Sequence, residues 1–387
     1  MATPSAAIAR PALANARRVV VKVGTRVLTR DDGRPALTRL AGIIEQLADL
    51  QHAGREVLLV SSGAVGLGCE RLKLEPPLTP AQRQACAAVG QMPLMALYEQ
   101  GFSRFGIVCA QLLLTRRDFS LRQSYLSLQH TMGSLLRSAV IPIINENDVV
   151  AREEVSEASA MAFGNNDQLS ALVASKLDAD LLVMLTDVDG VYATDPRLEP
   201  AATLLEEVRP LESPEDSPEL GGGNALSRGG MRSKVAAAHL AAHAGCHAVI
   251  ASGLAHGNLA RIAEGERAGT WYHARPALAA RRRWIAFASA PTARLSLDQG
   301  AVHAIVKQGA SLLAPGVTEI LGDFHRGDVV ELCDPSGEVI ARGVTHYDAA
   351  TARAWIRGVP PEHVRSHDAL VHRDDLALAP SDTDPRG

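Results

Sequence analysis

From Arg18 to about Ile262 the chain alternates short apolar runs with longer segments of helical period. Runs of four to eight apolar residues bounded by turn residues predict buried strands, here Val19–Val23, Val57–Val60, Ile107–Leu113, Val140–Ile144, Leu181–Leu185 and Ala248–Ala251. The segments between them are amphipathic. In residues 37–51, Leu40, Ile43, Ile44, Leu47 and Leu50 share one helical face, and Gly54 stands where a helix stops. Strand, helix and strand in repetition predict an α/β domain with an open, mainly parallel sheet sandwiched by helices. In such sheets ligands bind at the carboxyl ends of the strands, so the residues just after each strand are the candidates for chemistry.

The texture changes after Trp271. An arginine cluster, Arg281 to Arg283, leads into short alternating strands parted by turn signals at Gln299-Gly300, Pro315-Gly316 and Pro335-Ser336-Gly337. The expected organisation is a disordered tail over residues 1–17, a catalytic domain over 18–275, a linker over 276–292, a small β-rich domain over 293–371 and a disordered end over 379–387. Residues 211–226, with Pro214, Pro218 and Gly221 to Gly223, read as a mobile loop inside the first domain.

Composition narrows the class. Among 387 residues, 47% are hydrophobic and 21% charged, outside the range of disordered chains. A formal net charge of -4 lacks the basic excess of a nucleic-acid binder. No apolar run reaches the ~18 residues of a spanning helix. Five scattered cysteines without a C-x-x-C motif indicate neither a disulfide framework nor a thiolate zinc site, and fit a reducing, cytoplasmic setting.

Several strand ends carry candidate chemistry. The first runs into Lys22-Val23-Gly24-Thr25, an ammonium beside a flexible backbone, suited to phosphate. The second ends in Ser61-Ser62-Gly63-Ala64-Val65-Gly66-Leu67-Gly68, either an anion-binding strand-to-helix turn or a turn whose glycines serve packing. Without a Gly-Lys dipeptide it is no Walker A loop. The strand ending at Ile144 delivers Asn145-Glu146-Asn147-Asp148, and Gly164-Asn165-Asn166-Asp167 precedes a predicted helix. These amides and carboxylates could hold an amino group, order lysines or carry magnesium through water, or Asp167 could serve as a helix cap. Thr186 and Asp187 follow the fifth strand, and Gly229-Gly230-Met231 leads to Lys234. Lys22 and Lys234 could converge on a triphosphate from two sides, the electrostatic arrangement phosphoryl transfer demands. His239 and His243 have zinc-compatible spacing but read as a solvated helix face.

Lys22-Val-Gly-Thr, Ser61-Ser-Gly-Ala, Asn145-Glu-Asn-Asp, Gly164-Asn-Asn-Asp, Thr186-Asp187-Val-Asp-Gly190-Val-Tyr192 and Gly229-Gly-Met together resemble the amino acid kinase family. Leu297-Asp-Gln-Gly-Ala301, Gly309-Ala-Ser-Leu-Leu313 and Phe324 to Asp328 resemble the PUA domain appended to many members that act on glutamate. The resemblance spans Val19 to about Asp375. It implies the amino acid kinase fold with a small C-terminal PUA-like domain. The implied reaction is ATP-dependent phosphorylation of the side-chain carboxylate of L-glutamate to L-glutamyl 5-phosphate, the first step of proline biosynthesis.

The same resemblance implies ATP and Mg²⁺ as cofactors, proline as feedback inhibitor and a homo-oligomer. Lys22, Lys234 and Asp167 would be catalytic. Ser62, Asp148, Asn166 and Asn145 would hold glutamate, and Lys22, Thr186, Asp187, Gly229, Gly230, Met231 and Lys234 would bind nucleotide. No metal ligand is assigned. Two positions depart from the family pattern. Ser227-Arg228 stands where Gly-Thr usually precedes Gly-Gly-Met, and Asn165 where relatives often carry Asp. The alternatives are another acceptor, as in an aspartate kinase, or RNA binding through the PUA-like domain. Between Arg294 and Asp375, however, acidic residues outnumber basic ones, which disfavours phosphate-driven binding.

Overall fold

The computed structural model describes residues 10–30, 34–75, 77–115, 118–119, 122–150, 166–194, 196, 199, 201–209, 230–275, 285, 291, 293–361 and 369–378. They fall into two compact units, the larger drawn from residues before 278 and the smaller chiefly from those after it.

The larger unit is built on eight strands: β1 (Arg18–Val23), β2 (Glu56–Ser61), β3 (Cys109–Leu114), β4 (Ile141–Glu146), β5 (Leu181–Thr186), β6 (Glu207–Val208), β7 (His247–Ser252) and β8 (Thr270–Tyr272). Their order is β3-β4-β2-β1-β5-β7-β8-β6, parallel except where β8 runs against β7. Every residue of β5 is buried, as a strand covered on both faces must be, and its unbroken apolar run follows from that. The described helices of this unit are α1 (Pro11–Ala14), α2 (Thr25–Leu28), α3 (Leu37–His52), α4 (Ala64–Leu72), α5 (Pro80–Ser103), α6 (Arg122–Arg137), α7 (Asn166–Lys176), α8 (Gly230–His243) and α9 (Asn258–Ala263). The apolar stripe of α3 is the one its sequence predicts: Leu40, Ile43, Ile44, Leu47 and Leu50 are all buried. Each such side chain contributes about 1.5–3 kcal/mol of burial.

All six predicted strands of this unit are present, while β6 and β8 were not foreseen. Two or three residues are too few for periodicity to show. Their edge is completed by residues assigned to a tail. Arg10 is 1% exposed. Its guanidinium donates to the carbonyls of Ala268 at 2.9 Å and Glu206 at 2.9 Å and lies over Trp271. Leu13 of α1 enters the core. The chain is therefore built into the domain from Arg10 onward, because one buried cation satisfies carbonyls at this edge that the short strands leave open.

Helices α4 and α5 cross unusually closely. A Cβ at Gly68 would overlap the Cys86 carbonyl, and one at Gly90 would overlap the Ala64 carbonyl. The glycine-rich run after β2 thus serves packing at Gly68. At Gly63, φ is +106°, a left-handed conformation that reverses the chain from β2 into α4.

The smaller unit pairs β9 (Ala293–Leu297), β10 (Val317–Gly322), β11 (Val329–Cys333), β12 (Val339–Thr345) and β13 (Val371–Leu378) in the order β10-β9-β11-β12-β13, with helices α10 (Gln299–Gln308) and α11 (Ala349–Ile356). The expected boundary at Val371 cuts off β13. Arg373, Asp374 and Asp375 hide that strand's alternation, although Asp375 is buried and accepts a hydrogen bond from His346 at 2.8 Å. The expected linker falls almost wholly, and the expected loop at 211–226 and disordered end wholly, outside the described residues.

Gly90→Ala should destabilise the larger unit by about 1–3 kcal/mol or more through overpacking. Gly54→Ala, where φ is +84° and no atom lies within 4 Å, should lose only about 1 kcal/mol from backbone strain. Urea unfolding of both variants checks the ranking.

Candidate active site

The parallel sheet delivers the ends of β1, β2, β4 and β5 to one edge. Lys22, the penultimate residue of β1, is only 3% exposed. Asp167, in the first turn of α7, is fully buried, with its Oδ1 2.6 Å from Lys22 Nζ. Its Oδ2 lies 3.4 Å from Lys234 Nζ and accepts a hydrogen bond from Ser233 Oγ at 3.2 Å. One carboxylate therefore spaces two ammonium groups that come from β1 and α8. Burial pushes the Lys22 ammonium below the ordinary lysine range, Asp167 opposes that, and the Lys234 charge adds to it. A Cβ on Gly24 would sit 3.6 Å from Lys22 Nζ and 3.3 Å from the Leu185 carbonyl, so the backbone at the head of β1 closely approaches the lysine.

A second cluster lies at the ends of β2 and β4. Asn166 Nδ2 donates to the Ser61 carbonyl at 3.0 Å, Ser62 Oγ at 3.0 Å and Asn145 Oδ1 at 2.9 Å. Its Oδ1 is buried and has no hydrogen-bond partner among the described residues. Such an acceptor is costly unless a ligand satisfies it. Asp148 lines a cavity of about 440 Å³ with Gln91, Gln111, Glu146 and Met95. Burial pushes its carboxyl above the usual range, partly offset by Arg83. Asn166 and Asp167 are adjacent at the start of α7, so this cluster and the lysine pair share one helix end.

Thr186 and Asp187 stand at the end of β5, where Thr186 Oγ1 donates to Asp187 Oδ1 at 3.0 Å and Arg26 pairs with Asp187 Oδ2 at 2.8 Å. Burial opposes ionisation of Asp187, but hydrogen bonds from Arg26, the backbone and Thr186 outweigh it and hold the carboxyl low. Gly230 and Met231 open α8, and Lys234 Nζ also donates to the Gly230 carbonyl at 3.2 Å. Gly229, Arg228 and Asn165 lie outside the described residues. Among the described residues, no group of three or more His, Cys, Asp or Glu side chains could hold a metal ion. His239 is half-buried with its ring edge-on to Tyr272 and its pKa lowered by burial and by Arg275, so it belongs to helix packing rather than to a solvated face.

Comparison with known proteins bears on this geometry. Residues 17–252 match the model of the amino acid kinase family, and residues 293–362 match that of the PUA domain. The chain belongs to the amino acid kinase family. It is 44% identical over 377 residues to the glutamate 5-kinase of Moorella thermoacetica, covering 95% of this chain and 98% of that protein. The glutamate 5-kinase of Synechococcus elongatus is 44% identical over 370 residues, covering 93% and 99%. That of Herminiimonas arsenicoxydans is 41% identical over 375 residues, covering 95% and 99%.

Within this amino acid kinase domain, sequence reading had not singled out Ser233, Arg26, Gln91 or Tyr98 as partners of the site. Ser233 and Arg26 lie beside named motifs, and adjacency was the available signal. Gln91 and Tyr98 lie in the middle of α5, where a polar residue on a helix carries no signal of what it faces.

Removing the shared anion should be worse than removing one cation. Asp167→Ala leaves Lys22 buried without its counter-charge and should destabilise the larger unit by about 3 kcal/mol or more. Lys22→Met leaves Asp167 with Lys234 and Ser233 and should be milder. Equal losses in urea unfolding would contradict the shared-anion geometry.

Proposed function

We propose that this chain phosphorylates the side-chain carboxylate of L-glutamate with ATP, giving L-glutamyl 5-phosphate and ADP, the first step of proline biosynthesis. The supporting observation is the pair Lys22 and Lys234 held on one buried carboxylate, next to an amide cluster that presents an unsatisfied acceptor. The near-full-length similarity to glutamate 5-kinases supports the choice of acceptor.

The chemistry follows from charge. A glutamate side chain, with an ordinary pKa of about 4.3, is an anionic nucleophile at neutral pH and needs no general base. The obstacle is the approach of a carboxylate to a polyanionic phosphate. Two lysines sharing one aspartate keep a net positive charge at the point of transfer, fixed before the substrates arrive. As a γ-phosphoryl oxygen bond to ADP breaks, charge spreads over the equatorial and leaving oxygens, and the two ammoniums stabilise it. Asp167 positions them. Asn166 Oδ1 and Asp148 suit the α-ammonium of the acceptor, and Ser62 and Asn145 complete its cradle. Thr186, Asp187 and the Gly229 to Lys234 segment line the nucleotide side.

Mg²⁺ bound to the nucleotide would neutralise phosphate charge and orient the transferred group, held through phosphate oxygens and water rather than an all-protein cage. The family resemblance adds proline as feedback inhibitor, a homo-oligomer and a cytoplasmic site of action. Among the described residues, no helix is long and apolar enough to cross a membrane.

Offered Mg·ATP with glutamate, aspartate or UMP and hydroxylamine as trap, the enzyme should release ADP and form hydroxamate with glutamate alone. Turnover of another acceptor in its place would overturn the assignment. Lys234→Ala should lower kcat about 10²–10³-fold with little change in Tm, because it removes transition-state charge stabilisation. Near-normal kcat would remove Lys234 from the mechanism.

A further inference from the structure

The amide groups around the acceptor cluster have a polarity that two backbone groups determine. The Ser61 carbonyl can only accept, so the end of Asn166 facing it is the NH₂. The Glu146 amide can only donate, and it donates to Asn145 at 2.9 Å, so that end of Asn145 is the oxygen. The two assignments agree where the side chains meet, Asn166 Nδ2 donating to Asn145 Oδ1. The Asn145 NH₂ must then face the opposite way, where it donates to Gln91 Oε1 at 2.9 Å. Gln91 is thus the acceptor that terminates a chain of oriented amides whose other end is the partnerless Asn166 Oδ1.

The same helix steadies the neighbouring strand end. Seven residues along α5, and so on the same face, Tyr98 is fully buried with its hydroxyl 2.8 Å from Ser61 Oγ, which donates in turn to the Ser62 carbonyl. Burial drives the Tyr98 phenol pKa far up, so the hydroxyl stays a donor.

We propose that Gln91 is a positioning residue for acceptor specificity: by accepting from Asn145 it locks the side chain on which Asn166 rests, so that the Asn166 oxygen, whose polarity the Ser61 carbonyl fixes, stays aimed at the substrate and selects acceptors carrying an ammonium group. The inference rests on the reading of this cluster as the acceptor site. Without an acceptor at position 91 the Asn145 side chain is held only at its oxygen end, by the Glu146 amide, and can swing about that bond. Asn166 keeps its polarity against the Ser61 carbonyl but loses the fixed support that aims its oxygen, so a cation meets an acceptor out of place.

The test compares glutamate with glutarate, which has both carboxylates but no ammonium. Turnover of glutamate by the unmodified enzyme is measured first. Its absence would overturn the functional reading and this proposal with it. Gln91→Met, similar in length but a poor acceptor, should raise the KM for glutamate about tenfold or more, leave the KM for ATP and most of kcat, and narrow the preference for glutamate over glutarate by a similar factor. Gln91→Glu, which keeps the acceptor, should restore both KM and preference. Should the methionine variant fail to fold, Gln91→Lys, which offers only donors, carries the same comparison against Gln91→Glu. An unchanged preference in the folded Met or Lys variant would overturn the role of Gln91 while leaving the functional reading intact, as would a rise in KM shared equally by glutamate, glutarate and ATP.

Discussion

A single buried carboxylate organises this enzyme. Asp167 has no exposed surface, yet two lysines from different parts of the chain reach it, one on a central strand and one on a helix. Burial disfavours the Lys22 ammonium and the shared carboxylate offsets that cost. With both lysines protonated, one carboxylate cannot neutralise both, and a net positive charge remains at this end of the sheet. That residue of charge is what a phosphate and a carboxylate approaching one another require, and the fold maintains it before either arrives. The preorganisation replaces acid–base chemistry, because the nucleophile is already ionised.

The position of Asp167 also ties the lysine pair to the amide cluster. Its neighbour Asn166 donates to Ser61, Ser62 and Asn145, so the first turn of α7 reaches toward the lysines with one side chain and into the proposed acceptor cluster with the next. The arrangement holds only if the strand ends stay in register, which the packing of β1 between β2 and β5 ensures. The close crossing of α4 and α5 has a related effect. Glycines at positions 68 and 90 let the two backbones touch, which sets α5 near enough for Gln91 and Tyr98 to reach Asn145 and Ser61.

Much of this was legible in the sequence for a plain physical reason. Strands of a parallel sheet are buried on both faces, so β1, β2, β4, β5 and β7 are written as uninterrupted apolar runs, and the chemistry follows at their carboxyl ends. Lys22 stood out as a candidate for that reason, and Asp167 and Lys234 from the motifs that open their helices, though an aspartate before a helix reads equally as a cap until its distances to the lysines are known. The misses have a common origin. β6 and β8 are too short for a period, β13 is interrupted by charged residues, and Arg10 is a buried cation in a segment of tail-like composition. Gln91 and Tyr98 act through contacts with residues distant in sequence, and nothing local to α5 records such a contact.

In the proposed reaction the glutamate side-chain oxygen itself attacks the γ-phosphoryl group within this charged site. Glutamate labelled with ¹⁸O in the side-chain carboxylate tests it directly, with Mg·ATP and hydroxylamine present. Hydroxylamine cleaves an acyl phosphate at the carbonyl carbon, so the released phosphate keeps the bridging oxygen. One ¹⁸O atom is expected in each phosphate formed together with hydroxamate. Phosphate free of the label, with ADP still released, would show that water or another group accepts the phosphoryl and would contradict the mechanism.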